Sequence, residues 1–161
     1  MRGGRAHEAR MTNDIDYDVL TGPAARTPHA VLALCQAIFP GFDETYLTGR
    51  LATVSDPSLC RAMVGDRLVG FKLGYRRGDE LFYSWLGGVR PETRGQGVAR
   101  ELMARQHDWA AATGYASVET RTRASNTGMI ILNLRAGFTI SGFEVDRGGI
   151  AVVTQRKTLQ G

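Results

Sequence analysis

Residues 87–103, GGVRPETRGQGVARELM, constrain this chain more than any other stretch. Four glycines, three arginines and one proline stand between an aromatic-rich apolar run (80–89) and a segment with helical spacing (97–113). Val98, Leu102, Trp109 and Thr113 share one side of that helix, with Ala99, Met103 and Ala110 beside them and Gly114 as its stop. A strand must therefore pass into a helix through a flexible, basic turn. Such a junction leaves several backbone N–H groups without partners at the helix N-terminus. With the helix dipole they favour an anion, and glycine lets the backbone approach it closely. Three readings follow: an ordinary strand-to-helix loop, a cradle for a nucleotide phosphate, or a patch for nucleic acid.

Two common phosphate loops are excluded. The stretch has no G-x-x-x-x-G-K-[ST]. A dinucleotide-binding G-x-G-x-x-G needs a third glycine where Arg100 stands, and no acidic residue occupies the ribose position.

The rest of the chain alternates sheet and helix signals. Residues 15–20 read as a short strand. Pro28 starts a helix whose apolar set, Val31, Leu32, Leu34, Cys35, Ile38 and Phe39, covers one broad face before Pro40-Gly41. A second helix spans 43–53 with Asp43 as N-cap. Apolar runs 59–64 and 68–75 flank Gly65-Asp66-Arg67, a hairpin signal. A strand over 115–122, a helix over 126–135 and a last hairpin, 138–143 with 150–156, complete the order. This mixture predicts an α+β domain, a sheet covered by helices.

A length of 161 residues suits one domain, expected over residues 12–161, with residues 1–11 as a disordered extension and Met11 as an alternative start. The leader's Arg2, Arg5 and Arg10 against Glu8 carry +2 of the net +4. The domain is then nearly balanced and its arginines are scattered, which argues against nucleic acid as partner. No apolar run approaches the roughly 18 residues of a membrane span. Cys35 and Cys60 stand apart, which suggests a reducing, cytoplasmic setting and no disulfide framework. No metal-ligand spacing links them to His7, His29 or His107. His107 is expected at the surface, Cys35 in the core, and Trp85 and Trp109 in the core or a cleft wall.

Arg94-Gly95-Gln96-Gly97-Val98-Ala99 fits [RQ]-x-x-G-x-[GA] and resembles the acyl-CoA pyrophosphate loop of the GCN5-related N-acetyltransferase (GNAT) family. Val89-Arg90-Pro91 is similar to that family's V-x-P. SNTGMIILNLRAGF (125–138) resembles its second signature, and GDRLVGFKLGY (65–75) its central hairpin. The likeness covers nearly the whole domain.

The resemblance implies the GNAT fold: a mixed, mostly antiparallel sheet whose fourth and fifth strands splay apart around the pantetheine arm of acetyl-CoA. Gly87-Gly88 would form the bulge that starts the splay. The Val89 backbone would bond the pantetheine or polarise the thioester carbonyl. Arg94, Gly95, Gln96, Gly97, Val98 and Ala99 would cradle the pyrophosphate, with Arg94 or Arg100 adding charge, and Asn126 would contact the cofactor arm. The implied reaction is direct acetyl transfer to an amine in a ternary complex.

A primary amine of pKa ~10.4 is only about one part in 2,500 neutral at pH 7, so a general base is expected. Glu80 and Glu119 are the candidates; each reads equally as a solvated strand charge. Many relatives carry a Tyr that protonates the leaving thiolate where this chain has Asn133. An amide can hydrogen-bond the cofactor's sulfur but cannot act as its acid. It would otherwise simply cap or fill. Arg121 stands where enzymes that modify protein N-termini often have an acid. It points to a small-molecule acceptor bearing a carboxylate or phosphate, or else to an exposed contact. Acetylation of a protein amine and a non-catalytic acyl-CoA-binding module both remain open, as does a homodimer.

Overall fold

The computed structural model describes residues 14–159; the disordered extension expected over 1–11 lies outside them. In chain order the elements are β1 (Asp16–Thr21), α1 (Pro23–Arg26), α2 (His29–Ile38), α3 (Glu44–Thr53), β2 (Ser55–Val64) and β3 (Arg67–Gly78). Then follow β4 (Leu81–Val89), a 3-10 turn (Pro91–Thr93), α4 (Val98–Thr113), β5 (Ser117–Arg123), α5 (Thr127–Arg135), β6 (Thr139–Val145) and β7 (Ala151–Thr158). The seven strands form one sheet in the order β1-β2-β3-β4-β5-β7-β6. Every pairing is antiparallel except β4 with β5. The expected α+β architecture is therefore the observed one.

Local chemistry explains most of the boundaries. Asp43 caps α3 by accepting from the Tyr46 N–H at 3.0 Å, and Asn126 caps α5 by accepting from the Met129 N–H at 3.2 Å. Gly65, at φ +57°, supplies the left-handed turn of the β2–β3 hairpin. Two short elements escaped the sequence reading: the single turn α1 and the 3-10 turn Pro91–Thr93, both too short to show a period.

Helices cover both faces of the sheet. On one, Ala25, Val31, Leu34, Cys35, Leu47 and Leu51 of α1–α3 bury against Leu59, Phe71 and Leu73. On the other, α4 and α5 close over Phe82, Tyr115, Val118 and Phe138, and α4 also packs Val98 and Leu102 on Cys60, Ala62 and Val69. Cys35 lies in the core as expected.

The buried stripe of α4 differs from expectation. It runs Val98, Leu102, Met103, Gln106, His107, Ala110. This is an unbroken helical period in which two positions are polar, so His107 is 6% exposed rather than at the surface. Trp109, expected on the stripe, sits at its flank, edge-on to Phe82 with ring centroids 5.4 Å apart.

The bulge in β4 is also displaced. Leu73 pairs with Leu86 but Gly74 with Ser84, leaving Trp85 as the extra residue. Gly87 and Gly88 stay in register with Lys72 and Phe71. Gly88 serves close packing: a Cβ there would fall 2.5 Å from Ile38 Cδ1 of α2. Gly74, opposite the bulge, is tighter still, because its Cβ would meet Tyr83 O at 2.4 Å and Phe82 Cζ at 2.5 Å. Backbone cannot give way as a flexible side chain can. Gly74→Ala is expected to destabilise the fold by about 1–3 kcal/mol, lowering Tm by several degrees. Gly49→Ala, in α3 with nothing within 4 Å of its Cβ, should leave Tm equal or higher. Thermal melts of the two variants test the difference.

Candidate active site

Pairing between β4 and β5 ends at Ser84 with Thr120, where the Thr120 hydroxyl donates to Ser84 O at 3.0 Å. Beyond that rung β5 continues to Arg123 and β4 to Val89, and the two strands separate. The Arg90 N–H bonds back to Val69 O on β3 at 2.8 Å. Strand alternation then turns the Val89 and Gly87 N–H groups to the other edge, into the gap.

A cavity of about 460 Å³ opens along this gap. Its floor is Gly87, Gly88 and Val89, and its apolar walls include Leu102, Met103, Met129 and Leu132 from α4 and α5. Ile38 and Phe39 of α2 reach it from the opposite face, so it communicates across the sheet. Arg94, Gly95, Gly97, Val98, Ala99 and Arg100 form its mouth. Gly95 and Gly97 sit at φ +79° and +78°, and Gly97 is the left-handed N-cap of α4, with no side chain capping it. Among the described residues the N–H groups of 95–100 find no acceptor. These orphan donors, at the N-terminus of a long helix and with no Cβ in front of them, fit a phosphate.

The other sequence candidates divide. Gln96 contributes backbone to the turn and lines a separate small cavity with Ile15 and Glu92. Asn126 is engaged in capping α5. Asn133, the candidate contact to sulfur, is turned away from the cavity: its amide donates to Gln155 Oε1 at 2.9 Å, and Gln155 donates to Ile130 O at 3.2 Å. Glu80 lies exposed in the β3–β4 turn. Its carbonyl accepts from Ala116 and Ser117 at 2.8 and 3.2 Å, which puts it at the closed end of the β4–β5 pair. Strand geometry sets it roughly 13 Å before the last rung at Ser84, so it lies at the closed end and does not serve the gap.

Glu119 and Arg121 share the face covered by α1–α3. Glu119 is opposite Tyr83, one rung below the opening. Arg77 and Arg156 hold its two oxygens at 3.5 and 2.7 Å. Arg121 is the first residue of β5 on this face beyond the last rung, and it forms an ion pair with Glu144 of β6. Together with Arg77, Phe143 and Thr154 they line a cleft of about 450 Å³. Its wall continues as an aromatic chain: Arg77 lies 4.4 Å over the Tyr83 ring, Tyr83 contacts Tyr75, and Tyr75 contacts Trp85.

Lys72 was missed as a site residue. It opposes Gly87 across the β3–β4 ladder and lines the cavity. The sequence signal was a single charge inside the apolar run LVGFKLGY. Burial lowers its pKa to about 8. His107 is pushed further, down to about 3, first by burial and then by the charges of Lys157 and Lys72. Lys157 Nζ stands 3.4 Å from His107 Nδ1.

The sequence model of the Acetyltransferase (GNAT) family matches residues 29–138, and the chain belongs to that family. No curated protein matches the chain by sequence. Solved structures share the fold at low identity. Ard1 from Thermoplasma volcanium is 18% identical with a TM-score of 0.75, over 91% of this chain and 99% of that one. The ribosomal-protein-S18-alanine N-acetyltransferase from Escherichia coli is 16% identical with a TM-score of 0.70, over 91% and 96%. An acetyltransferase from Bacillus anthracis str. Ames, solved in complex with acetyl coenzyme A, is 17% identical with a TM-score of 0.59, over 65% and 63%. No helix among the described residues is long and apolar enough to cross a membrane.

Two predictions follow from this geometry. Gly97→Asp places a carboxylate before the orphan amides, in open space. It should weaken acetyl-CoA binding by at least tenfold in calorimetry, with only a small loss in Tm. The second concerns His107, whose folded-state pKa lies below its ordinary 6.5. The unfolded chain binds the extra proton between those values. His107 therefore makes stability fall as pH drops from about 6.5 towards 3, by up to about 1.4 kcal/mol per pH unit. Denaturant titrations across that range should show a shallower fall in His107→Gln.

Proposed function

We propose that the protein transfers the acetyl group of acetyl-CoA to the amine of a small molecule bearing a carboxylate or phosphate. The carrying observation is the run of acceptor-free N–H groups at 95–100, at the mouth of a cavity that follows the open edge of β4. Bound there, acetyl-CoA would supply an activated acetyl thioester. Residues 95–100 would hold its pyrophosphate, with Arg94 and Arg100 adding charge. The Gly87 and Val89 N–H groups face the gap and would hydrogen-bond the pantetheine arm or polarise the thioester carbonyl as the amine attacks. Leu102, Met103 and Leu132 would exclude water from the donor.

The acceptor would enter from the opposite face, over Trp85 and Tyr83, with Arg121 meeting its anionic group. Glu119 is a carboxylate one rung below the opening. Because guanidinium groups engage both its oxygens, it would take the amine's proton only through an intervening water. The E. coli enzyme of similar fold is named for a protein alanine. An arginine at the head of this cleft suits an anionic small molecule better than a cationic peptide terminus.

Acetyl-CoA at 100 times its dissociation constant should add about 2.7 kcal/mol of stability, a Tm rise of several degrees. Thiol release should then appear with amines that carry a carboxylate or phosphate, and Arg121→Gln should raise their KM more than it lowers kcat. No melting shift at millimolar acetyl-CoA would overturn the donor assignment. Binding without thiol release, across amino acids, aminoglycosides, polyamines and peptides, would mark an acyl-CoA-binding module instead.

A further inference from the structure

A lysine that lines the donor cavity has no counterion among the described residues. Lys72 extends from the centre of β3 beneath α4, and its Cγ passes 3.6 Å from the position a Cβ on Gly87 would take. Because residue 87 is glycine, nothing on β4 covers that stem. Among the described residues no carboxylate pairs with Lys72 and no acceptor bonds it. The groups that face it are the Cys60 thiol on β2 and the His107 ring on α4, which Lys157 of β7 also contacts. Arg94 and Arg100 stand at the cavity mouth. A charge held in a largely apolar cavity without a partner is costly, and a bound anion would relieve that cost.

The geometry points to Lys72 as the group that receives the leaving sulfur: its ammonium sits beside the thiolate of CoA and hands it a proton. The inference rests on the acetyl-CoA reading above. It answers the loss of an acid at Asn133, whose amide is committed to Gln155 and does not face the cavity.

The step balances. The amine nitrogen bonds the thioester carbon and the C–S bond breaks with its electron pair on sulfur. A proton moves from Lys72 Nζ to that sulfur, leaving neutral lysine and CoA thiol. The proton lost by the acetylated nitrogen passes to solvent, and solvent reprotonates Lys72 once CoA has left. Burial lowers the Lys72 pKa towards that of a thiol, ~8.5, so its ammonium can give up a proton near neutral pH.

The binding arm of the test needs no acceptor; the turnover arm uses an amine that the wild type acetylates. CoA and desulfo-CoA, which lacks the sulfur, are titrated into the wild-type protein by calorimetry at pH 7.5 in buffers of different ionisation enthalpy. An ammonium beside the thiol favours the thiolate, so CoA should release about half a proton more than desulfo-CoA. Lys72→Met should abolish that difference and Lys72→Arg, which keeps the charge, should retain it. Single-turnover acetyl transfer should fall about 10²-fold in both variants, since arginine cannot surrender a proton at this pH. Equal proton release by CoA and desulfo-CoA in the wild type overturns the proposal without reliance on any variant. So does a Lys72→Met protein that weakens both ligands alike and leaves proton release unchanged, which would assign Lys72 to another part of the cofactor. Failure of the wild type to bind either ligand would overturn the donor reading itself, and this inference with it.

Discussion

The parting of β4 from β5 beyond Ser84 and Thr120 is the constraint on which the rest of the molecule depends. Two strands that stop pairing expose N–H and C=O groups along both inner edges, and buried backbone groups without partners are costly. The fold accepts that cost at one place and limits it on both sides. Below the opening the strands are tied by their own rungs, by the Thr120 hydroxyl and by the Glu80 carbonyl. Above it, β4 remains paired with β3 through Gly87, Gly88 and Val89, so only its outer edge is free. The bulge at Trp85 turns the strand at the level of the opening, and Gly74 makes room for it. A ligand with alternating amides, such as a pantetheine arm, is the complement such an edge calls for.

Because the gap pierces the sheet, the two faces must differ in chemistry. The α4–α5 face carries orphan amides, arginines and an apolar channel, suited to an anionic head on a long flexible arm. The α1–α3 face carries aromatic rings interleaved with Arg77, Arg121, Glu119 and Glu144, suited to a smaller polar molecule. On the proposed reading, donor and acceptor meet without sharing an entrance, which is what direct transfer requires.

The sequence disclosed what is local and hid what depends on pairing. The turn at Gly95 and Gly97 was legible because positive φ before a helix is a property of a few adjacent residues. The cap at Asp43 and the hairpin at Gly65 were legible for the same reason. The burial of His107 was hidden by its own polarity: the helical period of α4 passes through Gln106 and His107, but only their apolar neighbours announce it. The placement of the bulge at Trp85 instead of Gly87-Gly88 could not be read, since it is a mismatch of register between two strands. Asn133 was placed on the right helix with its role open between cofactor contact and filler, because Gln155 lies 22 residues away on β7. Glu80 and Glu119 shared a residue type. Only the sheet tells them apart, setting one at the closed end and the other beside the opening.

On the proposed reading the α1–α3 face receives the acceptor, and its ion pairs bear on how a cleft already filled with charge would admit it. Arg121 is about a third exposed and Glu144 more than half, so their contact is solvent-screened and contributes at most about 1 kcal/mol. Glu119 is only 13% exposed and is held by two arginines from different strands, which fixes it far more firmly. An entering carboxylate or phosphate would therefore exchange with Glu144 rather than disturb Glu119. Glu144 sits on β6, the edge strand of the sheet, free to swing into water, whereas Arg121 is anchored in β5 beside the gap. The exchange would leave the guanidinium where it is and put the acceptor's anionic group in Glu144's place, with the amine directed toward Trp85 and the opening. On this account the Arg121–Glu144 pair keeps the arginine's donors occupied and correctly aimed until an acceptor arrives.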